Sequence, residues 1–154
     1  KGENKMADAA TISVTATVLP DEIAKTITGL ASVTPDDAND KWYYKLTSVT
    51  NSSVDLIAGT FLSQTAIATG TGQTAVHTAD KVKFLFVQNT DASNHVYIEP
   101  GNAAASASAA GSVYIPAGES WFARLPNSTV ADIHAITNTS TVTCIVAALI
   151  DDVA

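Results

Sequence analysis

Along most of the chain the apolar positions recur at every second residue. In TISVTATVL, residues 11–19, Ile12, Val14, Ala16 and Val18 alternate with Thr11, Ser13, Thr15 and Thr17. Successive side chains of an extended chain point to opposite faces, so this spacing predicts a half-buried strand with a hydroxyl face toward water. KWYYKLTSV, residues 41–49, puts Trp42, Tyr44 and Leu46 on one side. KVKFLFVQN, residues 81–89, puts Val82, Phe84 and Phe86 on one face and Lys81, Lys83, Leu85 and Val87 on the other, as a strand entering a covered sheet does. NHVYIEP (94–100), SVYIP (112–116), ESWFARL (119–125) and VADIHAI (130–136) read as further short strands. STVTCIVAALI (140–150) is apolar on both faces from Cys144 onward; periodicity alone also allows a short helix over CIVAALI, and the β-branched residues just before it favour a strand in the middle of a sheet.

Between these runs lie turn clusters: TPDDAND, TNSS, TGTGQT, NTDASN, EPGN, PAGE, LPNST and TNTST. Their recurrence at intervals of about 8 to 15 residues is the rhythm of an all-β sandwich or barrel. Helical periodicity is confined to PDEIAKTI, residues 20–27, which holds a turn or two at most. The stretch GNAAASASAAGS, residues 101–112, is of low complexity; interleaved Ser and flanking Gly make it a loop that packs little.

Composition sharpens this. With 154 residues, of which 46% are hydrophobic, the chain is long enough for one domain with a buried core, expected over residues 11–154 behind a flexible tail at 1–10. Charged residues make up only 15%, so Thr, Ser and Asn must supply the polar surface. The net charge of −7 and the scattered lysines argue against a basic groove for nucleic acid. No apolar run approaches the length of a membrane span, and the first residues lack the apolar core of a signal peptide. The single cysteine, Cys144, has no internal disulfide partner and reads as a small buried hydrophobe.

Candidate chemistry is sparse. His77, His95 and His134 fall in different elements with no metal-binding spacing. There is no nucleophile elbow, and TGTGQT precedes no helix that would make it a phosphate cradle. Asp36, Asp37, Asn39 and Asp40 offer oxygens for calcium, but turn capping by short polar side chains explains the same residues. Asp151 and Asp152 read as a solvated end. The expectation is therefore no catalytic, cofactor-binding or metal-ligating set, and no enzyme.

The residues that stand out are aromatic. Trp121 and Phe122 are neighbours directly after the PAGE reversal, so on a strand their rings must face opposite ways. Either one ring enters the core and the other faces outward to a partner, with Tyr114 across the turn as a candidate companion, or both faces of the sheet are covered within the chain itself. Tyr114, Trp121 and Phe122 are thus the candidate protein-contact residues.

KVKFLFVQNTDASNHVYIEPGN, VYIPAGESWFARLPNSTVADIHAI and the closing VTCIVAALIDD together resemble the small β-sandwich structural proteins of tailed-phage virions. The shared grammar is a strand ending in an Asn-Thr turn, a partner strand, a strand ending in Pro-x-Gly-Glu and a final sheet strand. The resemblance implies an antiparallel, jelly-roll-like sandwich with little or no helix, and no catalytic residues. It further implies a capsid decoration or cement protein on the virion surface, a homotrimer gripping the major capsid protein. A head-fibre, neck or tail role shares the same features. A carbohydrate-binding module is the reading from another class, with Trp42, Tyr43, Tyr114 and Trp121 as sugar platforms.

Overall fold

The computed structural model describes residues 10–18, 25–62, 74–101, 103–108 and 112–153. Every regular element among them is a strand except a single 3-10 turn at Val130–Asp132. The chain divides into two compact units, residues 1–38 and 39–154, with the boundary inside the TPDDAND turn cluster.

The first unit carries a two-stranded antiparallel ribbon, β1 (Ala10–Val18) with β2 (Lys25–Val33). Strand β2 takes in Lys25, Thr26 and Ile27, the described end of the one helical candidate, so those residues are extended; residues 20–24 lie outside the described residues. The register sorts the side chains onto two faces. Ile12 lies opposite Ala31, Val14 opposite Gly29 and Ala16 opposite Ile27. The other face pairs Thr11 with Ser32, Ser13 with Leu30 and Thr15 with Thr28. Among the described residues no further strand pairs with either edge.

The second unit contains β3 (Asp40–Val49), β4 (Val54–Asp55), β5 (Lys81–Asn89), β6 (Val96–Glu99), β7 (Val113–Ile115), β8 (Ser120–Thr129), β9 (His134–Thr137) and β10 (Val142–Asp151). Its pairings are nested: the first of these strands pairs with the last, β3 with β10, then β4 with β9, β5 with β8 and β6 with β7. Two more pairings, β10 with β5 and β9 with β6, join these into two four-stranded antiparallel sheets, ordered β3-β10-β5-β8 and β4-β9-β6-β7. Strand β10 is interior in its sheet, as its two apolar faces require.

The two sheets share one core. Tyr43, Leu85, Val87, Cys144, Val146 and Ala148 enter it from the first; Val96, Ile98, Ile115 and Ala135 enter from the second. The connections add Leu56, Ile57, Phe61, Val130 and Ile133. The protein is therefore all-β, built of several antiparallel sheets in an arrangement consistent with a β-sandwich. The buried Asn89 ties the two sheets together at one end. Its side-chain amide donates to the carbonyls of Asn94 (2.8 Å), Pro116 (3.0 Å) and Ile115 (3.3 Å), and its Oδ1 accepts the Asp91 N–H at 3.0 Å.

Five sequence expectations change in detail. LPNST, residues 125–129, is not a turn cluster but the second half of β8 (Ser120–Thr129). Val82 does not share a face with Phe84 and Phe86. A register shift between Val82 and Phe84 turns Val82 to the core with Leu85 and Val87, because the extra residue of a bulge flips the period of two. In VADIHAI the first three residues form the 3-10 turn and only His134 onward is strand. The 101–112 stretch is irregular where described, yet Ala105 is buried and its N–H is accepted by Ser53 Oγ at 2.9 Å. Asp152 is buried and takes the Lys41 ammonium, so it is not a solvated end.

The PAGE reversal is a tight turn in which the Glu119 N–H returns to the Pro116 carbonyl at 3.2 Å. Gly118 stands at its third position with φ of 76°, a conformation that L side chains resist.

Candidate functional site

The outer face of the sheet β3-β10-β5-β8, turned away from the inter-sheet core, is the most distinctive surface of the second unit. Register brings its side chains into three rows across four strands. The first runs Trp42, Leu149, Phe84, Arg124; the second Tyr44, Ala147, Phe86, Phe122; the third Leu46, Ile145, Gln88, Ser120. Nine of these twelve are apolar or aromatic, although this is the face away from the core. In the first row Leu149 and Phe84 are buried. The second and third rows are open: Tyr44 is 54% and Leu46 57% exposed, and Ala147, Phe86, Phe122 and Ile145 are half-buried. These two open rows put aromatic and aliphatic side chains on the solvent side of the sheet.

Ion pairs hold the end of the sheet next to the first row. Asp40, at the start of β3, has a fully buried carboxylate that takes the Lys83 ammonium at 2.7 Å and 2.9 Å. Lys41 pairs with Asp152 across the same end. A carboxylate shared with lysine is compensated charge, in keeping with a structural role for Asp40. Asp80, also buried, accepts the N–H groups of His77 (2.8 Å) and Val153 (3.1 Å) and so fixes the chain after β10 against the segment that leads into β5.

The candidate contact residues do not converge on one surface. Trp121 lies opposite Val87 and packs against the inter-sheet core, whereas Phe122 lies opposite Phe86 in the second outer row. Tyr114 belongs to the other sheet. It pairs with Tyr97, their ring centroids 5.3 Å apart, and its ring also meets that of His95 at 5.2 Å. The residues of the sugar-platform reading are dispersed as well. Tyr43 is buried, with its hydroxyl donating to the Ala58 carbonyl at 3.1 Å, and burial raises its pKa. The outer rows themselves were half visible in the sequence: Trp42, Tyr44 and Leu46 share a side by spacing, and so do Phe84 and Phe86. Ile145, Ala147 and Leu149 join them only through the strand order.

Among the described residues, neither the cysteine nor a histidine stands on this face. Cys144 faces the core, where burial pushes its thiol up to about 11 and keeps it protonated. His134 stands in the other sheet, with Nε2 3.4 Å from the exposed Asp55 carboxylate. The TGTGQT loop lies outside the described residues apart from Thr74, whose carbonyl accepts the Phe61 N–H at 2.9 Å. No helix among the described residues is long and apolar enough to cross a membrane. In comparisons with known proteins, no family model, no curated protein and no solved structure matches the chain.

Proposed function

We propose that this chain is a non-enzymatic structural protein of a tailed-phage virion. On this reading it is a decoration or cement protein that sits on the capsid as a homo-oligomer, a trimer by the resemblance, and binds the major capsid protein. The observation that carries the reading is the pair of open apolar rows on the outer face of β3-β10-β5-β8. They give a rigid β unit an adhesive face whose middle holds no ionisable group but the Tyr44 phenol.

The nested pairing supports the architecture that the resemblance implies. One long antiparallel hairpin, folded so that its halves make two four-stranded sheets, is the path of a jelly roll. Jelly rolls recur in viral capsid proteins and in lectins, so the architecture is compatible with the role and does not by itself select it.

Mass spectrometry of purified virions tests the reading. The expected result is a copy number tied to capsid symmetry; a chain found only in the soluble fraction of infected cells overturns it. Cryo-microscopy of the same particles separates a capsid position from a head-fibre, neck or tail position.

A further inference from the structure

Lys83 is the extra residue of β5 against β10. Val82 lies opposite Ile150 and Phe84 opposite Leu149, so two steps along β5 match one along β10. A bulge of this kind re-aims the side chain of the added residue. Here the Lys83 side chain reaches Asp40, at the start of β3 on the far side of β10. Its Nζ lies 2.7 Å from Asp40 Oδ1 and 2.9 Å from Oδ2.

We propose that Lys83 and Asp40 condense, so that an isopeptide bond between Nζ and Cγ ties β5 to β3 across β10. The reaction consumes only these two groups. One proton passes from the ammonium to the carboxylate along the existing contact, leaving an amine and a carboxylic acid. The nitrogen lone pair then attacks Cγ and forms the C–N bond, while the C=O electrons move onto oxygen. Collapse restores the C=O and breaks the other C–O bond. The departing hydroxyl takes a second proton from nitrogen and leaves as water; the third proton stays on the amide. Ammonium and carboxylate thus become amide and water, with no oxidant, reductant or activating group.

Asp151 is placed to carry the second proton. It lies opposite Asp40 in the β3–β10 pairing, and a carboxylate oxygen of each falls within 4.8 Å of the other's. From there its carboxyl takes a proton from the attacking nitrogen and returns it to the leaving oxygen, directly or through the water being released.

Lysine and aspartate free in water do not condense, and two properties of this site change that. Contact fixes the nucleophile on its electrophile, which replaces a collision between separate molecules with a step inside one. The Asp40 carboxylate is also fully buried, so the ion pair carries a desolvation cost that a neutral amide does not. Lys83 remains 29% exposed, which leaves the released water a way out. Once formed, the bond holds β10, the closing strand, between two strands that can no longer separate.

The test is the intact mass of the full chain under denaturing conditions, for the wild type, Lys83→Arg and Asp151→Asn, with far-UV circular dichroism to confirm that each folds. The wild type is expected to be lighter than its sequence by one water, about 18 Da. Trypsin does not cut after an acylated lysine, so digestion should release a branched product joining residues 26–41 to 82–124. A wild type still at full mass after several days folded at neutral pH overturns the proposal. A lost water that maps elsewhere overturns it too, including one between Lys41 and Asp152, which would join residues 26–45 to 125–154. Lys83→Arg keeps the positive charge without the nucleophile and is expected at full mass; the same loss in this variant is equally fatal. Asp151→Asn, sampled at fixed times after cell-free synthesis, is expected to condense on the order of tenfold more slowly than the wild type. An unchanged rate removes Asp151 from the reaction as written.

Discussion

Trp121 and Phe122 are adjacent in sequence and face opposite sides of one sheet: Trp121 packs against the inter-sheet core beside Val87, and Phe122 lies on the outer face beside Phe86. Their truncations should therefore act on different quantities. Trp121→Ala removes a large part of the core lining and is expected to cost about 3 kcal/mol of unfolding free energy, at the low end for an aromatic because the ring is only partly buried. Phe122→Ala should cost about 1 kcal/mol or less in the isolated chain, since its ring keeps partial contact with solvent. Urea denaturation at low protein concentration measures both. Equal losses would mean that the outer face is as closely packed as the core.

Asn89 gives a second prediction. Its amide serves three carbonyls across the end of the two sheets, and its oxygen holds the Asp91 N–H. Asn89→Leu fills the space but strands those groups without partners, at an expected cost of about 3 kcal/mol. Asn89→Asp keeps the acceptor and loses the donors, placing a carboxylate against carbonyl oxygens. Burial and those oxygens would hold the new carboxyl above the usual carboxylate range. The destabilisation should then be largest near pH 7 and shrink as the pH falls and the group takes up a proton. Denaturation midpoints at pH 7 and pH 4 read the difference.

These two sites show what the sequence makes legible. Among the described residues alternation identified the longer strands of the second unit and the interior position of β10, but β8 only over its first half, because LPNST reads as a turn by composition. Strand β2 escaped because Gly29, Ala31 and Ser32 dilute the alternation, and β4 because two residues carry no period. The bulge in β5 inverted the facing of Val82, which spacing alone could not foresee. Nothing local distinguishes Tyr114 from Phe122 as residues flanking a reversal. The chain crosses from one sheet to the other between β7 and β8, so residues on either side of one turn end on different surfaces. The outer face likewise exists only once β10 is inserted between β3 and β5, a pairing that joins residues about 60 and 100 positions apart. Asn89 reads as an ordinary turn residue until the second sheet closes over it.

Acid should loosen the loops before it loosens the sheets. Asp91 accepts the backbone N–H groups of Asn94 and Ser93, at 2.7 and 2.8 Å, and these bonds hold its pKa below the usual value. Asp132 is lowered likewise, chiefly by the Thr129 side chain and then by the Thr129 N–H, at 3.0 Å, in the cap of the 3-10 turn. A depressed folded-state pKa contributes stability that is fully present above the unfolded value, near 4, and is lost as the pH falls through the folded value. Melting temperature should therefore decline from about pH 4.5 downward. In Asp91→Asn and Asp132→Asn the decline should be shallower, because the substituted residue keeps an acceptor oxygen but has no proton to take up. Parallel curves for the variants and the wild type would show that these caps carry none of the acid sensitivity.

Cys144 offers an internal probe of the core. It stands on β10 between Thr47 and Asn89, without exposure to solvent, and its thiol is raised to about 11 by burial alone. At pH 8 only on the order of one molecule in a thousand would carry the thiolate even if reagent could reach it. Native protein should therefore resist thiol-specific labelling for hours, and one equivalent should react once denaturant opens the sheets. Labelling at intermediate denaturant then reports the opening of β10 from its neighbours. Cys144→Ala should cost about 1 kcal/mol, and Cys144→Ser about 1–3 kcal/mol, because serine adds a hydroxyl where the core provides no designed partner. Rapid labelling of the native chain would mean that the interior strand is not closed, and the shared core of the two sheets would have to be abandoned with it.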